Sequence, residues 1–265
     1  MKQAHIQLDE TLNAPCALMP GDPKRVDVIA GFLDDVKELT FNREYRSIIG
    51  TYKGMKVIGI STGMGGSSVA IAVEELKNIG VHTMMRVGSA GALQEGIRLG
   101  DLIICEGAVR DDGASRTYID VKYPAVPDYR LINHCNEVAS EKDYRHHTGI
   151  ILSHESFYYD EDAQDCEKWS KKGILATDFE TAALYTVGRL RKIHTASILN
   201  NVVIWGENTE DAIGSYQSGE NLTAIGEKRE IEVALEAMYR LEQELNKQEF
   251  KKGRKSFFYL NLNYL

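Results

Sequence analysis

The sequence predicts an α/β protein: a single domain with a mixed, mostly parallel central sheet flanked by helices. Three observations predict it. Apolar strand-like runs alternate with helix-like runs along most of the 265 residues, the order that builds buried parallel sheets with helical crossovers. No repeat, linker or low-complexity segment divides the chain. Small residues and turn formers gather at GDPKR, STGMGG and RVGSAG, at strand ends of the kind where such folds hold ligands.

The elements follow in order. CALMP (16–20) is a short apolar run that stops at the turn signal GDP. A helix over 24–33 starts there, since Pro23 suits a first helical turn and Gly21 frees the backbone before it. MKVIGIST (55–62) is a strand entered through the turn residues YKG. SSVAIAVEELKNIG (67–80) repeats apolar residues at helical spacing and ends on glycine, a helix stop. Strands are then expected at VHTMMRVG (81–88), DLIICEGAVR (101–110), HHTGIILS (146–153) and HTASILNNVVI (194–204). Helices are expected at 129–141, 178–191 and 223–247. The last segment, KKGRKSFFYLNLNYL (251–265), is basic and then aromatic, and it stands apart as a tail on a domain spanning 1–250.

Composition narrows the function. With 43% hydrophobic and 26% charged residues, the chain can bury an ample core. A net charge of −8 argues against a nucleic-acid backbone as partner, but not against one small anion in a local pocket. No run approaches the ~18 apolar residues of a membrane span, and the start, MKQAHIQLDE, has no apolar signal region. Cys16, Cys105, Cys135 and Cys166 show neither metal-ligand nor CxxC spacing. Reduced thiols in a soluble cytoplasmic protein are the expectation.

RVGSAGA (86–92) is the most informative stretch. A buried strand reaches a permanent cation, Arg86, and the side chains then shrink to Gly88, Ser89, Ala90 and Gly91. An unpaired buried guanidinium is costly, whereas small residues let backbone N–H groups and the Ser89 hydroxyl approach an anion closely. An arginine fork beside such a turn suits a phosphate or carboxylate; pairing with a structural acid is the other reading. Arg25 falls in a first helical turn, near amides that also attract anions. NREYR (42–46) offers Arg43, and Arg46 reads as a surface charge. In FETAALYTVGRL (179–190), Glu180 opens an amphipathic helix that Asp178 is placed to cap. Glu180 is then either a helix-dipole partner or a carboxylate for sugar hydroxyls.

Taken together, MPGDPKRV, NREYRSIIGTYKG, STGMGGSSVAIAVEEL, RVGSAGAL, DGAS, YPAVPDY and TDFETAAL resemble the hexameric-class nucleoside phosphorylases, the family of uridine phosphorylase and bacterial purine nucleoside phosphorylase. The likeness runs in order from about His5 to the C-terminal helix. It implies reversible phosphorolysis of a ribonucleoside to free base and ribose 1-phosphate, with inorganic phosphate as co-substrate and no organic cofactor. It implies a phosphate site at Gly21, Arg25, Arg43, Arg86 and Ser89, with catalysis carried by Arg86, Arg43 and Glu180. It implies a ribose site at His5, Met64, Phe179 and Glu180, and base contacts at Phe157, Ala90 and Gly91. His5 and Arg43 match residues lent across a dimer interface, so a homo-oligomer, a hexamer built as a trimer of dimers, is expected. A monovalent cation such as potassium is implied at Glu44, the Met64 carbonyl and Ser68, oxygen ligands that suit a hard ion; pairing of Glu44 with a nearby Lys or Arg is the alternative.

The likeness breaks at base recognition. Where uridine phosphorylases carry a Gln and an Arg, this chain has Glu161 and Ala163. Where bacterial purine enzymes carry a protonating Asp, it has Val202 and Val203, with Asn201 and WGENTED (205–211) as substitutes. Asp178 and Phe179 stand for the usual Glu and Met. DGAS and YPAVPD favour a uridine phosphorylase-like enzyme over a purine one. A nucleosidase of the same fold and a non-catalytic nucleoside-binding protein are the rivals; nucleosidases tend to lack the phosphate arginines, and all three are present here.

Overall fold

The structure is a computed structural model that describes residues 1–206 and 221–262, the last of these from 249 onward as helix backbone. Its elements run β1 (Cys16–Pro20), α1 (Arg25–Ala30), β2 (Asp34–Asn42), β3 (Tyr45–Tyr52), β4 (Met55–Ile60), α2 (Gly66–Asn78), β5 (Thr83–Ala92), β6 (Leu102–Asp111), α3 (Gly113–Tyr118), α4 (Tyr129–Glu141), β7 (His146–His154), α5 (Asp162–Ser170), β8 (Ala176–Asp178), α6 (Thr181–Leu190), β9 (His194–Val203) and α7 (Asn221–Leu262). The nine strands form one sheet in the order β2-β3-β4-β1-β5-β8-β7-β6-β9, and a further β5–β9 pairing bends its second half into a closed ring. Pairing is parallel for β1–β4, β1–β5, β5–β9, β6–β7 and β7–β8, and antiparallel elsewhere. The mixed, mostly parallel sheet is the expected one.

Helices cover both faces. Neighbours along β5 point to opposite layers. Met84 joins a core with Val73 and Leu76 of α2 and Leu184 and Tyr185 of α6. Met85 joins one with Leu131 and Val138 of α4 and Leu235 and Met238 of α7. All these side chains are fully buried, each stabilising by roughly 1.5–3 kcal/mol relative to exposure.

Two departures from the sequence reading bear on function. The 86–92 stretch is strand, not turn: β5 continues to Ala92 because Gly88 to Gly91 pair with Leu199 to Val203 of β9, and Gly91 and Ala92 with β8. The helix expected over 178–191 begins only at Thr181, because Ala176–Asp178 is drawn into the sheet between β5 and β7. Asp178 and Glu180 therefore stand at a strand-to-helix junction. Elsewhere α1 is shorter than expected, ending before Gly31, and β2, β3, α3 and α5 were not foreseen. Helix α7 runs past the expected 247 to Leu262.

Candidate active site

Arg86 sits midway along β5 and is 5% exposed. Gly88, two residues on, shares its face of the strand. A β-carbon on Gly88 would lie 2.6 Å from the Arg86 Nη2 atom and 2.7 Å from Cζ. The missing side chain is therefore the space the guanidinium occupies. Gly21, just beyond β1, is close-packed in the same way: its β-carbon would meet the Gly63 carbonyl oxygen at 3.0 Å and Arg86 Nη1 at 3.9 Å.

Two carboxylates hold the guanidinium. Arg86 Nε donates to Asp178 Oδ2 at 2.9 Å, and Nη2 lies 2.6 Å from Glu180 Oε2. Asp178 also accepts from the Ser153 hydroxyl at 2.6 Å and from the Thr181 amide at 3.0 Å, so it caps α6 as expected. Glu180, the residue before α6, makes no capping bond. Its Oε1 instead accepts from the Gly65 amide at 2.6 Å, tying the STGMGG loop to the cluster. Burial pushes the Glu180 carboxyl up against the pull of Arg86. Burial alone would lower Arg86, but Glu180 and Asp178 reverse this and raise it.

Arg25 opens α1 and reaches back over β5. Its Nη2 donates to Ser89 Oγ at 3.0 Å and its Nη1 to the Val87 carbonyl at 3.3 Å. Two acids unforeseen in the sequence face it: Glu227 Oε2 is 3.1 Å from Nε, and Glu230 Oε1 is 3.3 Å from Nη1. Glu230 is fully buried, takes the Gly88 amide at 3.3 Å, and burial raises its carboxyl well above the ordinary range. Their three-residue spacing puts both on one face of α7. That spacing was the available signal, but acids three apart on a helix usually read as a solvated face.

The fold thus brings together Gly21, Arg25, Arg86, Ser89 and Glu180. Phe179, the residue before Glu180, stands beside them, its ring 6.1 Å from Phe157 and 4.7 Å from His154. Gly91 lies between Thr177 of β8 and Val203 of β9, while the Ala90 methyl is packed in the core.

Other expected residues make no contact with these arginines, although Met64 sits in the loop that Glu180 holds. Arg43 is exposed on the β2–β3 turn at φ 57° and makes no hydrogen bond or ion pair to a described residue of its own chain. His5 is fixed by Glu75, 2.7 Å from Nδ1, and Met64 is 85% exposed. Arg46 pairs with Asp27 and Glu38 at 2.7 and 2.9 Å, as a surface charge does.

Glu44 packs on Gly63, beside Met64. Ser68 Oγ donates to the Gly65 carbonyl at 3.2 Å, so the three proposed cation ligands surround one turn. Glu161 and Ala163 are exposed, and Val202 and Val203 are buried. The Asn201 amide donates to the Arg98 carbonyl at 3.2 Å. Trp205 packs against Leu93, Leu152 and Ile174, while 207–211 of the WGENTED segment lie outside the described residues.

Comparison with known proteins identifies the family. Residues 15–215 match the model of the phosphorylase superfamily. The chain is 38% identical over 197 residues to the guanosine phosphorylase of Halorubrum lacusprofundi, covering 74% of this chain and 81% of that one. It is 33% identical over 244 residues to the uridine phosphorylase of Treponema pallidum, covering 88% and 92%. The solved uridine phosphorylase of Vibrio fischeri ES114 superimposes with a TM-score of 0.84 at 44% identity, over 90% of this chain and 97% of that one. The chain belongs to the phosphorylase superfamily, among its nucleoside phosphorylases.

Proposed function

We propose that the arginine–carboxylate cluster around β5 is the phosphorolysis site, with Arg25, Arg86, Gly21 and Ser89 receiving phosphate and Glu180 gripping the ribose 2′- and 3′-hydroxyls. The supporting observation is the pair of buried guanidiniums packed against small residues at one strand. Phosphate drawn to them competes for donors that Asp178, Glu180 and Glu230 engage in its absence. A phosphate oxygen attacks C1′, the glycosidic C–N bond breaks, and its electron pair leaves with the base, which gains a proton. Positioning and electrostatics carry such a reaction without a protein nucleophile. Met64 and Phe179 line the ribose, and Phe157, Gly91 and the Ala90 backbone line the base.

Arg43 and His5 complete the site from a neighbouring subunit in a hexamer arranged as a trimer of dimers. Their placement outside their own chain's cluster supports this, and a fully active monomer in sedimentation would overturn it. Potassium at Glu44, the Met64 carbonyl and Ser68 orders the turn next to Arg43. Its replacement by a bulky organic cation at constant ionic strength is expected to lower activity or melting temperature. The domain ends near residue 250, and a chain truncated there is expected to keep its activity in the cytoplasm-like reducing buffer that its thiols suit.

The deciding experiment is a nucleoside panel with and without phosphate. Ribose 1-phosphate formed only with phosphate is expected. Equal turnover in phosphate-free buffer would assign a nucleosidase, and binding without turnover a nucleoside-binding protein. Relatives named for guanosine and for uridine both align, so the panel includes both base classes.

A further inference from the structure

The residues that would read a base edge in uridine or purine phosphorylases are replaced here by Glu161, Ala163, Val202 and Val203, of which the first two are exposed and the last two apolar and buried. A base leaving C1′ takes the electron pair of the glycosidic bond, so a nearby hydrogen-bond donor speeds its departure. Beside Phe179 lies an imidazole that the phosphate and ribose roles leave unused.

His154 is the last residue of β7, paired in register with Asp111 of β6. The neighbouring strand β8 leads directly into Phe179 and Glu180. The His154 ring lies 4.7 Å from that of Phe179, tilted by 39°, and 6.5 Å from that of Tyr159. It is 8% exposed. No well-formed hydrogen bond from a described residue reaches its buried Nδ1, although a weak backbone contact with Ser156 favours the charged ring. Burial lowers its pKa, with Asp162, Asp178 and Asp111 pulling the other way. A buried ring packed among aromatics, whose Nδ1 makes no well-formed hydrogen bond, can take a polar partner that arrives from outside.

We propose that His154 is the base-recognition residue, its imidazole N–H donating to a carbonyl oxygen or ring nitrogen of the departing base. This rests on the phosphorolysis reading above. Phe157 and Phe179 supply the flanking aromatic surface, and His154 supplies the polar contact that positions 161, 163, 202 and 203 do not.

The test compares the complete wild-type chain with His154→Phe and His154→Gln. Substrates are uridine, inosine and p-nitrophenyl β-ribofuranoside, whose nitrophenolate departs without a donor. On the better nucleoside, His154→Phe is expected to lose about 10²-fold in kcat, and His154→Gln to recover part of it. Both variants should keep the wild-type rate on the nitrophenyl riboside and the wild-type phosphate KM. In ¹⁵N-histidine-labelled wild type, the free base should shift the His154 ring signals. Equal losses on nucleoside and nitrophenyl riboside, or no loss on either, overturn the proposal, and so does an unmoved ring signal if the variants do not fold. A wild type inactive on all three substrates with phosphate removes the phosphorolysis reading and the His154 role with it.

Discussion

Two clusters of arginine, histidine and carboxylate can be set side by side in this molecule. At the start of β9, Asp128 caps α4 and takes Arg130 through its amide, Nε and Nη2 at 3.0, 3.1 and 2.7 Å, with His194 Nδ1 at 2.7 Å. Both its oxygens are occupied, its main partner is two residues away, and the Arg130 and His194 side chains remain 20% and 29% exposed. Three rows along the β5–β9 ladder, Arg86 meets acids more than 90 residues distant in sequence, and its side chain is only 6% exposed. One Glu230 oxygen nearby lacks a well-formed hydrogen bond. The first cluster is closed upon itself. The second is desolvated, assembled from β5, β8, α1 and α7, and lined by glycines. A completed local cluster holds the fold, whereas the buried one, with its Arg86 guanidinium packed against glycines, is the one on which the phosphorolysis reading rests.

The largest break in this comparison is expected from Arg86→Lys. Lysine keeps the charge opposite Asp178 and Glu180, so the variant should fold, but it loses the planar fork. The kcat/KM for phosphate is expected to fall by about 10²–10³-fold, with nucleoside binding less affected. A phosphate titration of the folded variant checks it, and unchanged phosphate kinetics would make Arg86 structural.

Glu180→Gln comes next. The amide keeps a carbonyl oxygen for the Gly65 N–H and a similar shape, but gives up the charge facing Arg86. A helix-dipole contribution alone is worth only ~0.3–1 kcal/mol. Turnover is expected to drop by about 10²-fold while the melting temperature moves by a few degrees at most. Near-full activity would return Glu180 to the dipole role.

Asp128→Asn probes the closed cluster and should do the opposite. Stability is expected to fall by about 1–2 kcal/mol from a weakened cap and lost ion pairs, with kcat unchanged. Burial alone would raise the Asp128 pKa, but hydrogen bonds from His194 and Arg130 depress it strongly. A depressed carboxylate contributes stability that is fully present above its unfolded pKa, near ~3.9, and is lost as pH falls through the folded one. The wild-type advantage should therefore hold at neutral pH and shrink below about pH 4. Denaturant melts of both proteins at pH 7 and pH 3 measure it.

The sequence made the arginine–carboxylate cluster more legible than its wiring. Arg86 and Ser89 were readable because arginine beside small residues is chemically unusual in an apolar run, whereas Gly21, Arg25 and Glu180 drew their expected roles chiefly from the resemblance. Strands β1, β4, β6, β7 and β9 were readable from their apolar runs. Strand β2 was not, because its first five residues are exposed and an edge strand carries little hydrophobic pattern. Three-residue β8 was hidden inside what reads as a helix start, since its pairing with β5 and β7 is non-local. Glu227, Glu230 and His154 were missed for the same reason: each matters through residues far away in the chain. The subunit-bridging roles of His5 and Arg43 came from resemblance alone, since nothing in their local sequence points outward.

The smallest expected effect tests why β5 loses its side chains. In Gly88→Ala, the backbone is an ordinary strand and pairs with Leu199 of β9, so the substitution carries no conformational strain. The new methyl would begin 2.6–3.0 Å from three atoms of the Arg86 guanidinium, closer than carbon and nitrogen can sit. On an exposed arginine the far end would swing aside at little cost. Here Asp178 and Glu180 hold it at 2.9 and 2.6 Å, so the conflict is resolved by displacing the fork from one of them. The expected outcome is a roughly tenfold loss in kcat/KM for phosphate, about 1.4 kcal/mol, with a smaller change in stability. The loss should vanish when Gly88→Ala is added to Arg86→Lys, whose shorter head leaves the space empty. A double-mutant cycle on phosphate kinetics measures this. Additive losses would mean that Gly88 serves the β5–β9 pairing and not the arginine.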